Sequence, residues 1–146
     1  MPCNCVYVVE KLEIEKEFYL SLTLDRTLNC PVFIYSPSGG MKIEDVAKKN
    51  PELIYKIPID VKKGLEIEPL IEASKHLDLE DHKSQLVFLF KHLYDCLQDK
   101  DCDLIEINPL ALTREGTLVA ADSKVIIDDN ALFRQTELKA EEDLSQ

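Results

Sequence analysis

The 146-residue chain is poor in the residues that mark several common classes of protein. It has no tryptophan, only four glycines, and 17 basic residues against 28 acidic ones, which gives a net charge of −11. A chain this acidic lacks the basic surface with which proteins bind nucleic acid, so we expect no nucleic-acid partner. The charge does not exclude an anionic nucleotide, because a bound metal ion can reverse the local charge.

Long apolar runs and targeting patterns are also missing. No stretch approaches the roughly 20 apolar residues of a membrane-spanning helix, so we expect no membrane partner. The opening segment MPCNCVYVVE lacks the basic and apolar regions of a signal peptide. It runs almost directly into a predicted strand, which leaves no room for a transit peptide.

Disulfide and zinc patterns are absent as well. The five cysteines are an odd number and form no C-x-x-C motif, and the three histidines stand at no recognisable zinc spacing. We therefore predict reduced thiols in an intracellular compartment. The cysteines are Cys3, Cys5, Cys30, Cys96 and Cys102.

The patterns that are present predict an α+β fold. Strand patterns precede two amphipathic helices, and further strands follow them, which is typical of helices packed on one face of a largely antiparallel sheet. Residues 16–26 alternate apolar and polar side chains, which predicts a half-buried strand. Strands or extended segments are predicted at 6–10, 16–26, 31–37 and 52–60, and helices at 42–50, 67–77 and 83–101.

A β-hairpin is predicted for residues 103–122, DLIEINPLALTREGTLVAAD. Thr113 and Thr117 flank a three-residue loop whose last residue, Gly116, suits the left-handed position of such a turn. If the two threonines face each other, every further pair across the hairpin is determined. One face is then apolar and suited to packing on the helices; it carries Ile105, Ile107, Ala111, Val119, Ala121 and Val125.

The other face of the hairpin carries Glu106, Asn108, Asp122 and Lys124 at its open end. Asn108 and Asp122 directly opposed would have Cβ atoms roughly 4.5–5.5 Å apart, so an amide oxygen and a carboxylate can share one cation. Magnesium takes such oxygen ligands and completes its shell with water and phosphates. Pro109 has no N–H, so we expect the ladder to be interrupted beside Asn108, which would turn that side chain towards a ligand.

A second interpretation of the same face is structural. Asn108 and Asp122 would be solvated polar residues, and Glu106 would form a cross-strand ion pair with Lys124. An exposed pair stabilises a protein by only about 0–1 kcal/mol, so stability alone does not explain the cluster.

Long motifs of the chain resemble one family of enzymes. The segment EINPLALTREGTLVAADSKVIIDDNALFRQ resembles the β-subunit of succinyl-CoA synthetase (succinate–CoA ligase), in the second half of its ATP-grasp domain. EKEFYLSLTLDR and SPSGGMKIEDVAKKNPELIYKIPID match the same family in the same order. The resemblance implies that residues 1–134 form a partial ATP-grasp domain, its C-terminal half, and that 135–146 are a charged, frayed tail.

The resemblance also implies a role for each polar residue. Asn108 and Asp122 correspond to ligands of a magnesium ion bound with ATP or GTP. Glu106 corresponds to a catalytic glutamate near the phosphorylated histidine of the partner α-subunit. Glu10 and Glu17 correspond to nucleotide-binding residues, although the residues alone favour solvated carboxylates at strand ends.

Other parts of the family pattern have no counterpart in the chain. The lysine and glycine-rich loop that cover the phosphates are missing, and so is the domain that meets the α-subunit and helps to bind CoA. We read Gly39 and Gly40 as turn glycines, and we expect the chain to be an inactive fragment. The complete enzyme would interconvert succinate, CoA and succinyl-CoA in the tricarboxylic acid cycle, in the mitochondrial matrix of eukaryotes or the cytoplasm otherwise.

Two alternatives stay open. The first is another acid–CoA ligase with the same domain, such as malate–CoA ligase or ATP-citrate lyase. The second is a non-catalytic half-domain that binds a partner protein through exposed strand edges or a sheet face.

Overall fold

A computed structural model of the protein describes residues 8–137. Cys3, Cys5, residues 6–7 and the tail from 138 to 146 lie outside the described residues, so the predictions for them are not addressed. The described residues form one β-sheet with helices packed on it, and every strand pairing in the sheet is antiparallel. This confirms the predicted α+β fold with a largely antiparallel sheet.

Within residues 8–137, six strands form the sheet. They run in the order β3-β2-β1-β4-β5, and β6 also pairs with β4, beyond β5 along that strand. Their bounds are β1 Ile14–Asp25, β2 Cys30–Ser36, β3 Tyr55–Pro58, β4 Cys102–Thr113, β5 Leu118–Ala120 and β6 Ser123–Ile127.

Three α-helices follow the predicted pattern. They are α1 Ile43–Lys49, α2 Ile67–His76 and α3 Lys83–Asp99. The apolar stripe of α3 turns towards the sheet, because residues three and four apart share one face of a helix. Phe90, at its centre, meets Phe33 of β2 edge-on with ring centroids 4.6 Å apart. Within residues 8–137, no helix is long and apolar enough to cross a membrane.

The first strand differs from its prediction. Residues 8–13 carry no secondary structure, and Val8 and Val9 are exposed, so the strand predicted at 6–10 is wrong where the chain is described. A β-forming sequence needs a neighbouring strand to pair with, and propensity alone does not supply one. β1 therefore begins only at Ile14, where the antiparallel pairing with β4 starts.

β1 is also more buried than its alternation predicts. Phe18, Leu20 and Leu22 face the core, as the period-two pattern requires. Tyr19 and Ser21, on the opposite face, are buried too. The segment that leads from β2 into α1 contacts this part of β1 through Gly39, and the strand predicted to be half-buried is buried on both faces between Phe18 and Leu22.

The register of the hairpin is confirmed where its strands pair. The bond from the Thr113 N–H to the Thr117 carbonyl is 2.9 Å long, and Gly116 has a φ of +79° at the left-handed position. The turn therefore sets the pairs that follow, since each step along one strand matches a step along the other. The observed pairs include Leu112–Leu118, Leu110–Ala120, Glu106–Lys124 and Ile105–Val125.

The interruption predicted at Pro109 falls on one side of β4 only. On the hairpin side, the Asn108 N–H donates to the Asp122 carbonyl at 3.1 Å, and the Pro109 carbonyl accepts from Ala121 at 3.1 Å. On the β1 side, the register shifts between Phe18 and Leu20, so Asn108 and Pro109 together stand opposite Tyr19. This bulge lies at the cleft described below.

The same bulge changes which residues of β4 face the core. Ile105 and Ile107 face it before the bulge, but Leu110 and Leu112 face it afterwards. The predicted apolar face of the hairpin is therefore wrong beyond Asn108, because one extra residue moves all later side chains to the other face. Ala121 and Val125 are exposed rather than packed on helices, since they lie in or beside the outer strand of the sheet.

Candidate functional site

A polar cleft of about 570 Å³ opens on the sheet face opposite α2 and α3. The sheet forms its floor through β1, β4 and β6, and α1 forms its wall. The cleft contains both acidic and basic groups, which suits a ligand that carries phosphates and a cation. Its lining consists of Tyr19, Lys42, Ile43, Glu44, Asp45, Lys48, Glu106, Asn108 and Lys124.

Glu106 stands at the centre of three strands. Ser21 of β1 faces it on one side and Lys124 of β6 on the other. The Tyr19 hydroxyl donates a hydrogen bond to Glu106 Oε2 at 2.9 Å. Burial, with a smaller contribution from the Glu106 carboxylate, raises the pKa of Tyr19 to about 12, so the phenol remains a protonated donor at neutral pH.

The predicted ion pair between Glu106 and Lys124 is not formed. The two residues face each other across the strands, but the ion pairs within residues 8–137 join other partners. The ammonium group of Lys124 is therefore left to face the cleft, with Lys42 and Lys48 from the neighbourhood of α1. The structural interpretation of this face loses its main contact.

The Asn108 side chain is held by the loop that precedes α1. Its Oδ1 accepts a hydrogen bond from the Gly40 N–H at 2.9 Å, and its Nδ2 donates to the Met41 carbonyl at 2.9 Å. These two bonds determine which end of the amide is oxygen. Because a carbonyl oxygen has two lone pairs, Oδ1 retains one for a further partner.

The two glycines of this loop do more than turn the chain. Gly40 has a φ of +68°, and a Cβ there would lie 2.6 Å from Glu17 Oε2. Gly39 packs directly on β1, where a Cβ would lie 2.4 Å from the Phe18 backbone nitrogen. The reading of both as turn glycines is therefore incomplete, because Gly39 is needed for close backbone approach.

Asp122 lies beside Asn108 and is not itself among the residues that line the cleft. Its backbone carbonyl bonds to the Asn108 N–H, and its carboxylate Oδ1 accepts from the Ser123 N–H at 2.9 Å. The side chain is exposed and keeps Oδ2 available. One amide oxygen and one carboxylate on opposed residues fit magnesium, which commonly takes one or two protein oxygens and fills its shell with water and phosphate. Within residues 8–137, no three His, Cys, Asp or Glu side chains converge on one point, so the protein itself would supply only part of that shell.

The predicted nucleotide-binding glutamates lie at different distances from this cleft. Glu17 is an exposed residue of β1 whose carboxylate lies against Gly40, behind the loop that holds Asn108. Glu10 lies in the irregular stretch 8–13, is exposed, and is not among the residues that line the cleft. The structure thus places Glu106 and Asn108 in the cleft and Asp122 beside Asn108. It leaves Glu17 adjacent and Glu10 apart.

Sequence reasoning missed several residues of the cleft. Tyr19 could have been identified from the sequence, because it is an aromatic residue at a polar position of an alternating strand. Lys42 and Lys48 could not have been identified from the sequence, since they resemble ordinary surface lysines of a short helix. The chain was expected to offer few groups that neutralise phosphates, and these lysines reach the cleft only through the packing of α1.

Comparison with known proteins agrees with this architecture. The model of a family described as "ATP-grasp domain" matches residues 1–112. The β-subunit of succinate–CoA ligase (ADP-forming) from Haemophilus influenzae is 44% identical over 146 residues, which cover 99% of this chain and 37% of that protein. The relative from Aquifex aeolicus is 43% identical. The mitochondrial relative from rice is 44% identical and is matched over 34% of its length.

Solved structures share the fold. ATP citrate lyase from Methanothrix soehngenii superimposes with a TM-score of 0.61 at 20% identity, over 82% of this chain and 26% of that one. The chain spans little more than a third of the length of the curated relatives it matches. Because the family model matches most of its length and the solved structures share its fold, the chain belongs to the ATP-grasp domain family.

Proposed function

We propose that the chain is the nucleotide- and magnesium-binding part of a succinate–CoA ligase β-subunit. The observation that carries the proposal is the opposition of Asn108 and Asp122 at the edge of a cleft that contains Glu106. The similarity to ligase β-subunits over 99% of the chain supports the same assignment. The complete enzyme would form or cleave succinyl-CoA with ATP or GTP, in the tricarboxylic acid cycle.

Residues of the chain itself would bind the metal ion and the nucleotide. Asn108 and Asp122 hold Mg²⁺, and the loop at Gly40 and Met41 keeps the Asn108 amide oxygen in place. The bound ion would neutralise the phosphate oxygens of the nucleotide and orient them. Lys42, Lys48 and Lys124 stand where they add positive charge around the same phosphates. Glu17, beside Gly40, and Glu10 are the proposed contacts to the rest of the nucleotide.

Glu106 is the proposed catalytic residue. Its carboxylate would accept a hydrogen bond from the imidazole of a partner histidine that receives the phosphoryl group. The histidines within residues 8–137 do not line the cleft, and His76, for example, stacks on Tyr55 with centroids 4.2 Å apart. The phosphoryl acceptor is therefore assigned to an α-subunit, and CoA and succinate are assigned to the complete enzyme. The rice relative is named as mitochondrial, which supports the mitochondrial matrix if the source is a eukaryote.

The metal assignment is tested by changing Asp122→Asn. This segment would replace its counterpart in the full-length Haemophilus influenzae β-subunit, which would be assembled with its α-subunit. We expect magnesium-dependent phosphorylation of the α-subunit to fall at least roughly tenfold, since even partners that only support a metal ligand are worth 10–100-fold. Raising the magnesium concentration should recover part of the loss.

The matched control is Asp103→Ala, which removes an exposed carboxylate from the same strand pair away from the cleft. Unchanged phosphorylation in the Asp122 variant would refute the metal assignment. A third outcome would favour the interaction module, for which the exposed outer strand β6, with Val125 and Ile126, is the supporting observation. In that case the chain binds no magnesium nucleotide by calorimetry but associates tightly with the α-subunit.

A further inference from the structure

A buried phenol lies directly behind the carboxylate of the cleft. Tyr19 is only 3% exposed, and its hydroxyl donates to Glu106 Oε2 at 2.9 Å. Its neighbours along β1, Phe18 and Leu20, point to the opposite face and into the core. Tyr19 is thus an aromatic residue turned away from the main core, with its one polar atom on an acidic group.

We propose that Tyr19 is a positioning residue for Glu106. By occupying Oε2, its hydroxyl holds the carboxylate in one orientation and leaves Oε1 to accept a hydrogen bond from the group that enters the cleft. This inference rests on the proposed function only for the identity of that group, an imidazole. The pairing of phenol and carboxylate stands on geometry alone.

The backbone explains why a tyrosine fits at this point. Phe18 pairs with Leu110 and Leu20 pairs with Ile107, so Tyr19 stands opposite two residues of β4 rather than one. The extra residue belongs to the bulge that contains Asn108. Because Ser21 pairs with Glu106, the side chains of Tyr19 and Asn108 lie on the same face of the sheet as Glu106. The bulge adds Pro109 opposite Tyr19.

The charges around Glu106 explain why its orientation needs a constraint. Lys124 faces it from β6, and Lys42, Glu44, Asp45 and Lys48 face the cleft from α1 and its start. A free carboxylate among three lysines can turn towards any of them. The hydroxyl of Tyr19 opposes this rotation, because one oxygen already has a donor with good geometry.

The test compares Tyr19→Phe with the unchanged segment in the assembled enzyme described above. We expect kcat for phosphorylation of the α-subunit to fall by about tenfold, which is the usual worth of a hydrogen bond to a charged group. The KM for the magnesium nucleotide should stay unchanged. A loss in kcat without a change in KM separates a loss of carboxylate orientation from a loss of nucleotide binding.

Two variants control the experiment. Tyr35→Phe removes the hydroxyl of another buried tyrosine, which lies 2.9 Å from His76 Nδ1 and outside the cleft, and it should leave kcat unchanged. Replacing Tyr19 by 3-fluorotyrosine keeps the ring and makes the hydroxyl a stronger donor. That replacement should keep kcat close to the value of the unchanged enzyme, and a kcat about tenfold lower would contradict the proposal even if Tyr19→Phe folds poorly.

A direct measurement separates this inference from the proposed function. The carbon-13 resonance of the Glu106 carboxyl group is compared at one neutral pH between the 146-residue chain and its Tyr19→Phe variant, with Glu106→Gln used for assignment. A resonance that shifts with Tyr19→Phe supports the hydrogen bond, and an unchanged resonance overturns it. If Glu106→Gln leaves phosphoryl transfer intact while the resonance still moves, the catalytic role of Glu106 fails but the pairing holds.

Discussion

Two glycines of the loop before α1 show how much a single residue position can require. Gly39 permits a contact with the Phe18 backbone that any side chain would block. Gly40 has a left-handed φ and lies against the Glu17 carboxylate. Because the Gly40 N–H also bonds to Asn108, a change there reaches the proposed metal ligand. Local sequence predicts a turn at such a pair, but only the fold shows what the turn touches.

Gly40→Ala should destabilise the chain more than the same change at Gly64. Both glycines have positive φ, +68° and +76°, so both variants carry a backbone cost of about 1–2 kcal/mol. The Cβ at position 40 would also meet Glu17, whereas nothing lies within 4 Å of the Cβ at position 64. Urea denaturation of both variants measures the difference, and equal losses would mean that the loop does not press on Glu17.

Helix α3 shows at the scale of an element how one face of the chain builds the core. Its buried side is apolar, and its exposed side is mostly polar but also carries Phe88. Phe90 is fully buried against Phe33, whereas Phe88, two residues earlier on the same helix, is 63% exposed. The period of the sequence predicts the first of these correctly.

Phe90→Ala should therefore cost far more stability than Phe88→Ala. Removal of a fully buried phenylalanine typically costs about 3–5 kcal/mol, because it loses buried area and leaves a cavity. A substitution on the exposed side typically changes stability by about 0.5 kcal/mol or less. Thermal or urea denaturation measures both, and a large loss at Phe88 would indicate that its surface is covered in the folded chain.

Across the whole molecule, contacts between distant parts of the chain hold the end of the described region to its middle. Asp101, in the turn between α3 and β4, binds the Arg134 guanidinium with both carboxylate oxygens, and Gln135 donates to the Asp99 carbonyl and to Asp101 at 2.9 and 2.8 Å. Asp128 caps the short 3-10 turn Asp129–Ala131, which precedes Arg134 in the chain. Gln135, which was assigned to a frayed tail, is thus hydrogen-bonded at its side chain.

This contact predicts a specific dependence of stability on pH. Hydrogen bonds from Arg134, and then from Gln135, lower the pKa of Asp101 to about 2. The folded-state pKa lies below the unfolded value of about 3.9, so the contribution is complete above that value and is lost as the pH falls towards 2. Arg134→Ala should remove this pH-dependent contribution of Asp101 to stability.

The measurement is urea denaturation of the chain and its Arg134→Ala variant from neutral pH down to about pH 2. The difference in the free energy of unfolding between the two proteins should shrink as the pH falls from about 3.9 to about 2. Arg114→Ala, in the exposed hairpin loop, is the control and should give no such narrowing. A difference that stays constant with pH would mean that the Asp101 carboxylate is not the partner.

The sequence by itself determined the helices, most of the strands along the chain and the hairpin register. The reason is that these depend on periodicity and on one turn, both of which are local. It also singled out Glu106, Asn108 and Asp122, because polar groups interrupt an otherwise apolar pattern. Their chemical roles remain predictions.

Tertiary structure alone decided the rest. The burial of Tyr19, the loop that holds Asn108 and the lysines around the cleft depend on how α1 packs on β1 and β4, which are far apart in the chain. The exchange of core-facing residues along β4 depends on its pairing with β1 and not on its own pattern. Such contacts bring together residues many positions apart, and no local rule of periodicity or turn chemistry encodes them.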